Sequence, residues 1–143
     1  MKHLFVPYET AKALKELGFN EPCFGWFTDN YLRIGGVVES KHVQGDNEML
    51  APTHQQVVDW FREKHKIEVC ASSYYYPKHY GIVSQIGYSH KSNTEYPESD
   101  YGEGLGKRQK HEKVIVYSER NFDDYYSALN AAIDEAIDIV KQN

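Results

Sequence analysis

The C-terminal segment constrains the fold most. Phe122, Tyr126, Leu129, Ile133, Ala136 or Ile137 and Val140 recur at three- and four-residue steps, the period of a helix with one apolar face. Asp123, Asp124, Asp134 and Asp138 lie off that stripe, and Ser118 or Asn121 stands where a cap belongs. Such a helix leaves half its surface needing cover, so the rest of the chain must supply a sheet for it to close over.

The upstream pattern supplies one. Pro7-Tyr8-Glu9-Thr10 opens a helix running to about Leu17, with Gly18 as its stop. Cys23–Thr28 and Tyr31–Val38 read as strands joined at Asp29-Asn30, the second bent at Gly35-Gly36. Residues 39–50 are polar and read as a loop. Thr53, with Gln56 three residues on, then makes a capping box. The helix it starts ends near His65 or Lys66, with Val57, Val58 and Phe61 on its apolar face and Trp60 to one side. Ile67–Tyr76 and Tyr80–Tyr88 form a second hairpin turning at Pro77-Lys78-His79, and Lys113–Tyr117 is a short further strand. Residues 89–112 hold almost no aliphatic side chains and read as a long polar loop, of a length that compact domains keep for function. The expected fold is a single α+β domain over 1–143. It has an antiparallel sheet of about five strands, two hairpins plus one strand, packed by about three helices.

Composition bounds the function. The apolar fraction of 41% supports a packed core. Sixteen basic against twenty-one acidic residues leave a net −5, which favours solubility and gives no general attraction to nucleic acid. No secretory segment or membrane span is visible, so the cytoplasm is the expected compartment. Cys23 and Cys70 lack metal-type spacing and read as buried thiols.

No motif declares a chemistry. Gly102-Glu103-Gly104-Leu105-Gly106-Lys107 has only three residues between Gly102 and Gly106, and Arg108 follows Lys107, so it fails as a phosphate loop. His54 and His65 stand about 16 Å apart along one helix, too far to share a metal; the seven histidines read as solvated, with His90 and His111 flanking the long loop. The helix–strand–strand–strand–helix order is similar to that of double-stranded-RNA-binding domains. Residues 119–143, however, carry six acids against two bases, which repels RNA.

Two stretches, Pro7-Tyr8-Glu9 with Gly18-Phe19 and Glu21-Pro22-Cys23-Phe24, and the run from Leu50 to His65, resemble a family of small proteins without an assigned activity. That family is encoded by gut Bacteroides-type bacteria and by their phages and mobile elements. The resemblance covers the first 65 residues and, more loosely, Tyr125–Leu129; it implies a phage or mobile-element setting and carries over no catalytic residue. The expectation is therefore a non-enzymatic accessory protein that binds another protein or a second copy of itself. It uses no cofactor or metal, and Tyr74, Tyr76 and Trp60 are its candidate interface residues. The alternative is nucleic-acid binding through Lys107, Arg108, Lys110 and Lys113 beside the tyrosines. A second alternative is an enzyme whose site is assembled from loop Asp, Glu and His residues.

Overall fold

The computed structural model describes residues 1–76, 79–91, 111–117 and 122–142; over 73–76, 79–91 and 111–117 it describes the backbone alone. The elements are α1 (Tyr8–Glu16), β1 (Cys23–Thr28), β2 (Tyr31–Val38), β3 (Glu48–Leu50), α2 (His54–Trp60), β4 (Ile67–Tyr76), β5 (His79–Lys91), β6 (His111–Tyr117) and α3 (Tyr125–Gln142). The fold is mixed α+β, with three α-helices and antiparallel strand pairing among the described residues.

The strands divide into two three-stranded sheets, ordered β2-β1-β3 and β4-β5-β6, and this corrects the expected single sheet of about five. Both hairpins form locally, but their union into one sheet would need an edge of the first to meet an edge of the second. One edge of β1 goes instead to β3, with Trp26, Phe27 and Thr28 opposite Leu50, Met49 and Glu48. β3 lies in the stretch predicted as loop. It is three residues long, too short to show an alternating pattern, yet Met49 and Leu50 are buried.

Each sheet is built from residue alternation. In β1, Cys23, Gly25 and Phe27 are buried while Phe24, Trp26 and Thr28 face outward to varying degree. Asp29 (φ 49°) and Asn30 (φ 69°) both sit in the left-handed region, the geometry of the two-residue hairpin turn whose twist matches its strands. The β1–β2 register shifts between Cys23 and Gly25, where β2 passes through Gly35-Gly36. In the second sheet Ile67 and Val69 are buried and Ala71 packs on the core, while Glu68 and Cys70 are exposed; Cys70 is thus not the buried thiol expected. Opposite Ile67 and Val69 stand Tyr88 and Ile86 of β5.

The helix boundaries have identifiable causes. α1 ends where Phe19 N–H donates to the Leu14 carbonyl (2.9 Å) and Gly18 N–H to that of Lys15 (3.1 Å). This paired closure needs a left-handed residue, and Gly18 has φ 90°. The capping box of α2 is present: Gln56 N–H donates to Thr53 Oγ1 (3.3 Å) and Thr53 N–H to Gln56 Oε1 (3.0 Å). Gln56 Nε2 also donates to the Pro22 carbonyl (2.9 Å), fixing the helix start to the head of β1. From Phe61 to His65 the helix widens to π geometry and stops at Lys66, left-handed at φ 59°. α3 begins at Tyr125, later than expected, because Asp124 Oδ1 accepts from the Ser127 amide (3.0 Å) and caps the helix.

α3 is the centre of the core. Ala128, Ala132 and Ala136 are wholly buried beside Leu129, Ile133 and Ile137, and the helix packs on β4, β5, α1 and α2. Thr10 of α1 donates to Asp134 Oδ1 at 3.0 Å across one of these contacts.

Gly25 marks the tightest approach in the first sheet. A Cβ there would stand 2.8 Å from the Phe5 ring and 3.2 Å from the Arg33 carbonyl oxygen. Gly25→Ala is expected to lower unfolding stability by about 1–3 kcal/mol, read by urea denaturation. Adding Phe5→Leu, which withdraws the ring edge, should return part of that loss.

Candidate functional site

The residues singled out from the sequence disperse. Lys107, Arg108 and Lys110 lie outside the described residues, as does most of the predicted 89–112 loop; β5 and β6 take its ends. Lys113 stands in β6 opposite Ser89, and Tyr74 and Tyr76 stand in β4 opposite Gly81 and His79. The strand register sets His111 opposite Lys91, one residue along from His90. Trp60, read as an interface residue, is only 6% exposed. Its ring packs against Phe19, Phe61 and His65 with centroids 5.5, 5.1 and 4.7 Å away, so it belongs to the core.

What the fold does bring together is a cleft of about 480 Å³ between the N-terminal segment, the β1–β2 turn and the first turns of α2 and α3. The N-terminal segment is held there by an isolated bridge from Phe5 to Thr53 and by Val6 N–H donating to the Pro52 carbonyl (3.1 Å). Apolar walls come from Phe5, Phe27 and Leu32, with Tyr8 set edge-on to Phe27 at 5.4 Å. Tyr126 packs beside two imidazoles, its centroid 5.2 Å from both His3 and His54. Lys2, Val6, Pro7, Asn30, Tyr31, Ser127 and Asn130 complete the lining.

His54 organises the floor. The expectation of solvated histidines is corrected here, for His54 is 4% exposed. Its Nδ1–H donates to the Leu4 carbonyl at 2.8 Å, and its Nε2 lies 2.7 Å from the side-chain amide of Asn130. A neutral ring bonded this way takes an amide hydrogen from Asn130; a ring protonated at both nitrogens donates to Asn130 Oδ1 instead. Either way one side chain joins the N-terminal segment, α2 and α3. No local pattern announces this role, because the partners lie 50 and 76 residues away.

A second feature is the outer edge of β2. No described strand pairs with it, and its margin carries Tyr31 (74% exposed), Val37 (61%) and Ile34 (43%), with Phe24 (58%) on the neighbouring strand. Tyr31 is opposite Thr28, on the outward side of the sheet, whereas Ile34 is opposite Gly25, on the inward side; the apolar groups therefore flank the edge from both faces.

Burial shifts three titratable groups, Cys23, His65 and Asp134, the last of which it raises. Burial, with the Glu21 charge adding to it, pushes the Cys23 thiol up to about 12, and its Sγ–H donates to the Glu21 carbonyl; it stays protonated and unreactive at neutral pH. Burial also holds the His65 imidazole below its ordinary value, and its Nε2 has no hydrogen-bond partner among the described residues. No group of three His, Cys, Asp or Glu among the described residues is placed to hold a metal ion, and no described helix is long and apolar enough to cross a membrane.

Compared with protein-family models, with curated proteins and with solved structures, the chain matches none.

His54→Ala should cost about 1–3 kcal/mol, since it strands the Leu4 carbonyl and the Asn130 amide, and chemical denaturation will show it. His65 gives a pH signature. Its folded value is depressed, so its contribution to stability is complete above the ordinary value near 6.5 and is lost as pH falls below it. His65→Phe should flatten the acid side of the stability–pH curve in that window. An unchanged slope would show that His65 does not set it.

Proposed function

We propose that this is a non-enzymatic binding protein that engages another polypeptide by strand addition at the outer edge of β2. The observation that carries the reading is the run of exposed Tyr31, Ile34 and Val37, with Phe24 beside it, along an edge that no described strand covers. Native edges are normally blunted by several charges or by proline, and β2 has a single charge, Arg33, and no proline. A partner strand would satisfy the open backbone groups, and its side chains would cover the apolar groups on both faces. The irregularity at Gly35-Gly36 divides the edge, leaving the Tyr31–Ile34 end as the regular template.

A second copy of the chain is the simplest partner, because two β2 edges related by a two-fold axis offer identical antiparallel templates. The resemblance of the first 65 residues adds a phage or mobile-element setting. The partner role that the sequence reading gave to Trp60 passes to these exposed residues.

Sedimentation velocity at rising concentration should show a reversible dimer. Ile34→Lys and Val37→Lys should each return it to monomer with unchanged circular dichroism. A wild-type chain that stays monomeric up to about 1 mM, indistinguishable from both lysine variants, would remove self-pairing through this edge.

A further inference from the structure

We infer that β2 meets a second copy of itself in one register, with Leu32 opposite Leu32 and Tyr31 of each chain opposite Arg33 of the other. The inference rests on the strand-addition reading and fixes its geometry. The phase of the open edge follows from the hairpin turn. Asp29 and Asn30 are both left-handed and Thr28 stands opposite Tyr31, so Thr28 and Tyr31 exchange both of their backbone hydrogen bonds. The alternation of an antiparallel pair then turns the backbone groups of Arg33 toward β1 as well, opposite Trp26. Those of Leu32 and Ile34 point the other way, to the edge that no described strand covers. An added strand must set its own outward-pointing residues against these two.

The regular template ends at Ile34. Between Ile34, opposite Gly25, and Val38, opposite Cys23, three residues of β2 stand against one of β1, and Gly36 is left-handed at φ 56°. Two-fold pairing within Tyr31–Ile34 has two registers of equal extent, centred on Leu32 or on Arg33. Centring on Arg33 sets the single charge of β2 directly against its own copy, and like charges facing across strands destabilise the pair. Centring on Leu32 sets each guanidinium against the exposed Tyr31 ring of the other chain, an attraction that the two-fold axis makes twice. Asp29, in the adjoining turn, adds opposite charge at that end. This register leaves Ile34 opposite Asn30 of the second copy, whose side-chain amide carries both a donor and an acceptor for the strand. Gly35 falls opposite Asp29, and even a Cβ at Gly35 would meet nothing within 4 Å, so the turn has room. The bulge draws Val37 back to the level of that turn, where its exposed side chain gains cover.

The test uses the full chain carrying Cys70→Ser, which leaves the buried Cys23 as the only native thiol. To this are added, in separate proteins, Tyr31→Cys and Arg33→Cys, both at exposed positions. Opposed residues of a non-hydrogen-bonded pair have Cα atoms about 4.5 Å apart, within disulfide reach. Under mild oxidation an equimolar mixture of the two variants should form covalent dimer at least about ten-fold faster than either variant alone. Self-linking of Arg33→Cys alone would overturn the register and leave strand addition standing, since it is the mark of the Arg33-centred arrangement. Equal linking in the mixture and in each variant alone would overturn it too, as would no linking at concentrations where the wild type sediments as a dimer. A wild type that never dimerises removes the pairing and the register together. Without any cross-link, Arg33→Ala should weaken the dimer about five-fold or more; a tighter dimer would again mean that the two arginines face each other.

Discussion

The structure depends on how closely α3 can lie against its neighbours. Ala128, Ala132 and Ala136 form one row of small side chains, and Leu129, Ile133 and Ile137 form the adjoining row, all buried. The small row lets backbones approach and the large row fills the space beside it, which is how a close-packed interior is reached without voids. α3 touches β4 and β5 of the second sheet as well as α1 and α2, and α1 in turn packs on β3 of the first. Tyr126, Ser127 and Asn130 near the start of α3 line the cleft beside the N-terminal segment.

Much of this was legible in the residues. The bounds of β1, β2 and β4 follow from runs of β-forming residues closed by turn signals, the start of α2 from Thr53 and Gln56, and the end of α1 from Gly18. These are local effects, decided within a few residues. What escaped was decided at a distance. The pairing of β1 with β3 rather than with the second hairpin is a choice between edges, and nothing in Met49-Leu50 alone announces it. The sequence offers Ser118 or Asn121 as the cap of α3, whereas the helix begins at Tyr125 with Asp124 Oδ1 accepting from the Ser127 amide.

The candidate site was less legible than the fold, for the same reason. A cleft assembled from four separate segments has no spacing to read. The sequence reads His54 as solvated because it belongs to no metal motif. Its burial is conferred by Leu4 and Asn130, which the local pattern does not relate to it. Trp60 departs in the other direction: the helical stripe sets it to one side, yet it is enclosed by Phe19 from α1's exit and by the widened turn at Phe61–His65.

The bond between His54 and Asn130 also orders events in time. During synthesis from the N-terminus, the first hairpin, α1 and α2 emerge well before the residue that completes the floor of the cleft. Until position 130 is available, the imidazole has only Leu4 to engage, and the apolar surfaces awaiting α3 stay uncovered. Completion of the core is therefore a late, chain-closing step, and the interval before it is when the nascent protein has most to gain from a chaperone.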